Sequence, residues 1–200
     1  MVRASGAREK VENSAIELFA AKGVDGVSIG EIASLAGVSQ GALYRHYVSK
    51  EELAWSLFST AYLRTGAELD DIRRRNPDFP TRVTAMVGHF GALYDSDPAL
   101  FRFMLIVQHD LLPRIGTLHR TPVDALADTV AAAVDAGEVA AVDPAAAAAV
   151  IMGVVLQTAV FHIYGRLHGS LAASSPRLAN AALAAVAALG RPMPSSSDAI

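Results

Sequence analysis

The chain has 200 residues, 52% hydrophobic and 18% charged, a balance opposite to that of a disordered protein. It contains no cysteine, which excludes a disulfide framework, a thiolate metal site and a cysteine nucleophile. The net charge is −3, yet residues 1–50 hold six Lys/Arg against five Asp/Glu and all three lysines, while residues 51–200 hold eleven against fifteen. The first stretch is therefore the one better suited to an anionic partner.

In chain order the pattern is helical throughout, without long strand-like alternation. The opening residues 1–10 lack an apolar signal core, which gives the expectation of a cytoplasmic protein. Val11, Ala15, Ile16, Leu18, Phe19 and Ala20 form one apolar face of a first helix, predicted over 8–23 and ended by Gly23. Ser28-Ile29-Gly30-Glu31 reads as a capping box that opens a second helix over 29–36. Ala36-Gly37-Val38-Ser39 then stops that helix at a glycine, turns on a valine and caps a third over 40–46. This is a helix-turn-helix pattern, with Gly37 placed where a tight turn asks for positive φ.

Ile32, Ala33, Val38, Leu43 and Tyr47 are predicted to face the first helix, which leaves Gln40, Gly41, Ala42, Tyr44, Arg45 and His46 outward. Gln can pair bidentately with adenine and Arg with guanine in a major groove. Gly41 and Ala42 keep the leading edge slim, and Tyr44, His46 and Lys50 carry donors suited to phosphate. A solvated helix in an ordinary bundle would show the same pattern, so the residues leave both readings open at this point.

The stretch from Gly37 to Leu53 (GVSQGALYRHYVSKEEL) resembles the DNA-binding domain of the tetracycline-repressor (TetR) family. Ala15, Leu18-Phe19, Lys22-Gly23, Ser28, Ile32-Ala33 and Ala36-Gly37 also sit where that family's pattern has them, so the resemblance covers about the first 55 residues. It implies an all-α chain with a three-helix DNA-binding domain at 1–52 and a larger helical ligand-binding and dimerisation domain at 53–190. It also implies a homodimeric regulator, most often a repressor, which leaves a palindromic operator when a small molecule binds. Carried over residue by residue, Ser39, Gln40, Gly41, Ala42, Tyr44, Arg45, His46 and Lys50 are the expected DNA contacts, with Ser28 reaching a phosphate. Tyr47 stands where the family usually has Phe, and is expected to keep the core role and add a phosphate contact. Gly30 stands where the family more often has a polar residue. Arg3 and Arg8 read either as an N-terminal arm on DNA or as part of a solvated terminus.

Further helices are predicted over 50–75, 80–95, 98–110, 122–137, 144–168 and 176–190, about nine in all, with a frayed tail at 191–200. Ser49 caps the first of these in a second capping box with Glu52. Cap-plus-proline pairs at Asp97-Pro98, Thr121-Pro122, Asp143-Pro144 and Ser175-Pro176 mark other starts, and Pro80 opens one more. By analogy with TetR-like proteins these helices enclose a cavity. Its candidate linings are Trp55, Phe58, Tyr62, Met86, Phe90, Tyr94, Phe101, Met104, Gln108, Gln157, Phe161 and His162. Each has a plain alternative, since an aromatic or methionine at helical spacing is usually core packing. Few of them are charged, which suits a mainly apolar effector with one or two polar anchors.

Residues 145–156 are uninterruptedly apolar, but that run is shorter than the roughly 18 residues of a membrane span, and Gln157, Thr158 and His162 interrupt its continuation. A buried helix is the expectation, with 144–168 and 176–190 forming a subunit interface and no membrane as partner. Gly26-Val27-Ser28-Ile29-Gly30 matches the nucleophile-elbow spacing but follows no strand, and the scattered histidines lack ligand spacing; no catalytic residue, metal or cofactor is expected. From another class, an all-α carrier or interaction protein with a purely structural helix-turn-helix accounts for the same helices. Activator action is likewise compatible with the sequence.

Overall fold

A computed structural model describes the backbone of residues 3–116 and 120–190, and side chains within those ranges from Gly6 onward. Among the described residues there are nine α-helices and no strand. They are α1 (Arg3–Lys22), α2 (Ile29–Ala36), α3 (Gln40–Tyr44), α4 (Lys50–Arg75), α5 (Phe79–Ser96), α6 (Pro98–Ile115), α7 (Pro122–Asp135), α8 (Pro144–Ile163) and α9 (Leu171–Leu189). The expected tail at 191–200, His119 and the side chain of Arg3 lie outside the described residues.

Most starts follow from local chemistry. Asp97 accepts from the N–H of Leu100, Thr121 and Asp124 form a reciprocal box, and Asp143 accepts from Ala145 N–H, each ahead of a proline at the helix start. Four boundaries correct the sequence reading. Helix α1 begins at Arg3 rather than at residue 8, so the backbone at both Arg3 and Arg8 is helical. Helix α6 continues past 110 to Ile115, carrying Pro113 inside it, because Ile115 is buried in the core. Helix α8 ends at Ile163, where Gly165 takes a left-handed conformation (φ 66°) and Arg166 N–H closes back on the carbonyl of Phe161.

Helix α9 starts at Leu171, capped by Ser170, and not at the predicted Ser175-Pro176. The reason is tertiary: Asp95 at the end of α5 accepts from the N–H groups of Leu171 and Ala172 and from the hydroxyl of Ser170. The carboxylate is held below the usual range by these hydrogen bonds, against the opposing effect of desolvation. Ser175 is buried and donates to the carbonyls of Leu171 and Val87 instead of capping a helix.

Packing divides the chain into two compact units, residues 1–65 with 96–120 and residues 66–95 with 121–200. The first unit surrounds a core of Val11, Phe19, Ile32, Leu43, Leu53, Phe58, Phe103 and Val107, with the rings of Phe19 and Phe103 stacked 5.8 Å apart. Helix α6 thus braces α1 from behind and completes a core that α1–α3 alone leave open.

In the second unit α8 packs against α7 and α9. It buries Ala147, Ala148, Ile151, Val155 and Ala159, while Ala149, Gly153, Gln157, Phe161 and, just beyond its end, Tyr164 form an exposed ridge at i, i+4 spacing. Among the described residues this is the one helix long and apolar enough to cross a membrane, with a mean hydropathy of 2.0.

Candidate nucleic-acid interface

Two caps and one glycine build the helix-turn-helix. The hydroxyl of Ser28 accepts from Glu31 N–H at 3.2 Å, and the Glu31 carboxylate accepts from Ser28 N–H at 2.8 Å. Lys22 adds an ion pair at 2.8 Å. That lysine, then the Ser28 amide and hydroxyl, hold the Glu31 carboxyl down at about 2. Ser28, the serine of the nucleophile-elbow spacing, is therefore committed to capping α2. Gly37 adopts φ 68° and ψ 34°, as the turn requires, and Val38 N–H returns to the carbonyl of Ala33 at 3.0 Å.

Ser39 then caps α3 by accepting from Ala42 N–H at 3.2 Å. The regular part of α3 stops at Tyr44, two residues short of the predicted end, because the amides of His46 and Tyr47 both close on the carbonyl of Leu43. This tight corner leaves room for the next cap, Ser49, which accepts from Glu52 N–H. The Glu52 carboxylate binds Arg114 at 3.0 Å, and the Arg114 guanidinium lies 4.3 Å from the centre of the Trp55 ring.

The two faces of α3 separate as the sequence implies. Ile32, Ala33, Leu43 and Tyr47 are buried and Val38 is half-buried against them. Ser39, Gln40, Gly41, Tyr44, Arg45 and His46 are exposed, and Ala42 is half-buried. Tyr44 is 54% exposed and Val48, which the sequence reading did not single out, 85%. Lys50 is half-buried, and its ammonium donates to the carbonyl of Asp25 at 3.1 Å. Tyr47 stands apart from the other expected contacts. Its hydroxyl donates to Glu12 Oε1 at 2.7 Å, an oxygen that also accepts from Arg8 Nε at 2.7 Å. Burial, then the Glu12 carboxylate, push the Tyr47 phenol up to about 12.

Arg8, His46 and Tyr47, with Val38, Ala42 and Leu43, line a cavity of about 220 Å³ between α1 and α3. The Arg8–Glu12 pair is legible as an i, i+4 spacing, but its link to Tyr47 across 35 residues is not.

The expected lining residues are drawn from both units. Trp55, Phe58, Tyr62, Phe101, Met104 and Gln108 belong to the first unit, and Met86, Phe90, Tyr94, Gln157, Phe161 and His162 to the second. Phe58, Tyr62, Met86, Phe90 and Phe101 are buried, with Phe58 and Tyr62 stacked at 5.1 Å. Tyr94 and His162 pair at 5.8 Å between ring centres. Gln157 and Phe161 lie on the exposed ridge of α8.

Residues 13–56 match the family model of bacterial regulatory proteins of the tetR family. Over that segment, 44 of the 200 residues, the chain resembles the bacterial regulatory proteins of the tetR family. Among curated relatives, MftR of Mycobacterium tuberculosis, named as a transcriptional regulator, is 40% identical over 73 residues, 36% of this chain and 37% of the relative. The HTH-type transcriptional regulator AcrR of Shigella flexneri is 42% identical over 76 residues, 38% of this chain and 35% of that protein. The chain thus spans little more than a third of the curated relatives it matches.

Among solved structures, the transcriptional regulator FadR of Bacillus subtilis in complex with stearoyl-CoA superimposes with a TM-score of 0.78. It covers 92% of this chain and 100% of its own at 18% identity, a likeness of fold.

Proposed function

We propose that this chain acts as a repressor that binds a palindromic operator as a homodimer and releases it when a small, mainly apolar effector binds. What carries the reading is the outward face of α3, which presents Gln40, Tyr44, Arg45 and His46 on a helix fixed by Ser39 at one end and by buried Leu43 and Tyr47 beneath. These are base-reading and phosphate-binding groups on a slim helix anchored to a closed core. Ser28, Ser39, Gly41, Ala42 and Lys50 are assigned as further contacts; Tyr47 acts mainly by anchoring the corner.

The dimer is assigned to α8 and α9. A helix apolar on every face leaves its second face to be covered, and the ridge through Gly153, Phe161 (45% exposed) and Tyr164 (71% exposed) supplies a self-complementary surface with small and large residues. Such a dimer would space two copies of α3 about one DNA turn apart. The effector is assigned as mainly apolar on the aromatic and methionine side chains of the candidate lining, a reading that the stearoyl-CoA complex of the FadR neighbour supports. Release follows as population shift: to turn a mostly competent dimer into a mostly incompetent one, the effector must favour the second form by about 5.5 kcal/mol. The site of action is the cytoplasm, with no membrane as partner.

The test is selection from a random duplex library with purified chain, then titration of the enriched site at several salt concentrations. A palindromic site bound by a dimer is expected, with log affinity falling by about 0.9 per neutralised phosphate per log unit of salt. Tyr44→Ala should abolish enrichment. A chain prepared free of bound ligand that enriches nothing would leave the carrier reading in its place, and a monomer by light scattering at micromolar concentration would remove the α8–α9 assignment.

A further inference from the structure

We infer that Gly30 sets the reach of Gln40 and is a specificity-determining position of the reading face; this rests on the DNA-binding reading above. Gly30 is the second residue of α2, where glycine is the wrong choice for the helix. A glycine in the middle of a helix costs about 0.5–1 kcal/mol relative to alanine, and in the first turn it carries part of that cost. The backbone gives no reason for it, since Gly30 is not among the glycines with positive φ. Main-chain crowding gives none either. The three nearest atoms to a Cβ placed on Gly30 are all side-chain atoms: Gln40 Nε2 at 3.1 Å, Gln40 Cδ at 3.8 Å and Ser28 Oγ at 3.8 Å.

The bare Cα of Gly30 therefore has one structural consequence within reach. It lets the carboxamide of Gln40, the first residue of α3, settle over α2 at a distance tighter than ordinary van der Waals contact with a methyl would allow. Gln40 is exposed, so the resting place is not imposed by burial. A carboxamide reading adenine must present its N–H and C=O together to N6 and N7, an arrangement sensitive to displacements of a few tenths of an ångström. A methyl at residue 30 displaces the amide by that amount, and a branched side chain displaces it further. Gly30 touches no DNA in this account; it acts through Gln40.

The experiment compares wild type, Gly30→Ala, Gly30→Thr and Gln40→Ala by selection from a random duplex library. It then measures competition titrations at the enriched site, the salt slope and Tm. Gln40→Ala is expected to lose about tenfold or more of the discrimination at one base pair of each half-site, within the range of a bidentate contact. Gly30→Ala should lose about threefold or more at that same base pair, and Gly30→Thr more still, with the salt slope kept and with Tm of the alanine variant unchanged or raised.

Gly30→Ala with wild-type preferences, beside an altered Gln40→Ala, would overturn the inference and leave the DNA-binding reading standing. So would a Gly30→Ala preference changed at base pairs that Gln40→Ala leaves alone, or a lowered Tm in Gly30→Ala. Failure of the wild type to enrich any sequence would instead strike the DNA-binding reading itself, and the inference with it.

Discussion

Replacing Tyr47 with Phe removes one oxygen and tests how α1 is tied to the corner that follows α3. The Tyr47 hydroxyl donates to Glu12 Oε1 at 2.7 Å, and the ring is 8% exposed. A hydrogen bond to a charged group contributes about 1.5–3 kcal/mol. Here the Glu12 side chain is 28% exposed and keeps its Arg8 partner, so the deletion strands no charge and the phenyl ring still fills the same space. The expected loss is therefore about 1 kcal/mol, or roughly 2–4 °C in Tm for a chain of this size. A double-mutant cycle with Glu12→Ala should return a coupling of about the same size.

The pH dependence supplies a second check. The phenol's pKa rises from 10.0 to about 12 on folding, so the folded form holds its proton more tightly. The stabilisation is fully present below pH 10 and is lost as the pH rises from about 10 through about 12. Urea unfolding followed by circular dichroism at pH 8, 10 and 11 should show the gap between wild type and Tyr47→Phe narrowing at the alkaline end. No gap at pH 8, a coupling near zero in the cycle, or a gap that widens with pH would refute the argument.

Ser28→Ala removes the hydroxyl half of the capping box and should cost about 1 kcal/mol by thermal unfolding. In the wild type Glu31 is depressed from 4.5 to about 2, so its contribution is present above pH 4.5 and is lost as the pH falls from there through about 2. An acid titration of Tm on Glu31→Gln should lack that component. Gly37→Ala meets no neighbouring atom but forces alanine into the left-handed region at φ 68°; about 1–2 kcal/mol of destabilisation is expected by urea titration, with lost DNA binding if the turn opens. Gly91→Ala brings a methyl to 2.9 Å from the Cα of Ala172 where α5 crosses α9, and should lower stability by about 1–3 kcal/mol; unchanged Tm would show that the crossing is looser than described.

The helix-turn-helix was legible in the sequence because its information is local. Ser28 with Glu31, Gly37 and Ser39 satisfy or turn their own neighbours' backbone within four residues, and the period of Ile32, Ala33, Leu43 and Tyr47 marks the buried side. The same holds for Asp97, Thr121 and Asp143, each followed by a proline.

The sequence misread those places where a distant group decided. Ser175-Pro176 has the chemistry of a helix start, but Asp95, some 76 residues away, caps α9 five residues earlier and leaves Pro176 inside the helix. The end of α8 is a misreading of another kind: apolar composition ran the helix on to 168, although the signal that ends it at Ile163, a left-handed Gly165, is local.

Composition marked α8 as a helix that must be covered, but the tertiary structure alone separated its buried face from the ridge of Gly153, Gln157 and Phe161. It alone brought Glu12 to Tyr47 and the amide of Gln40 to Gly30. Caps and periodicity act over one or two helical turns, where the chain itself fixes the distance. Contacts between helices depend on crossings that many side chains set jointly, and no short stretch of sequence encodes them.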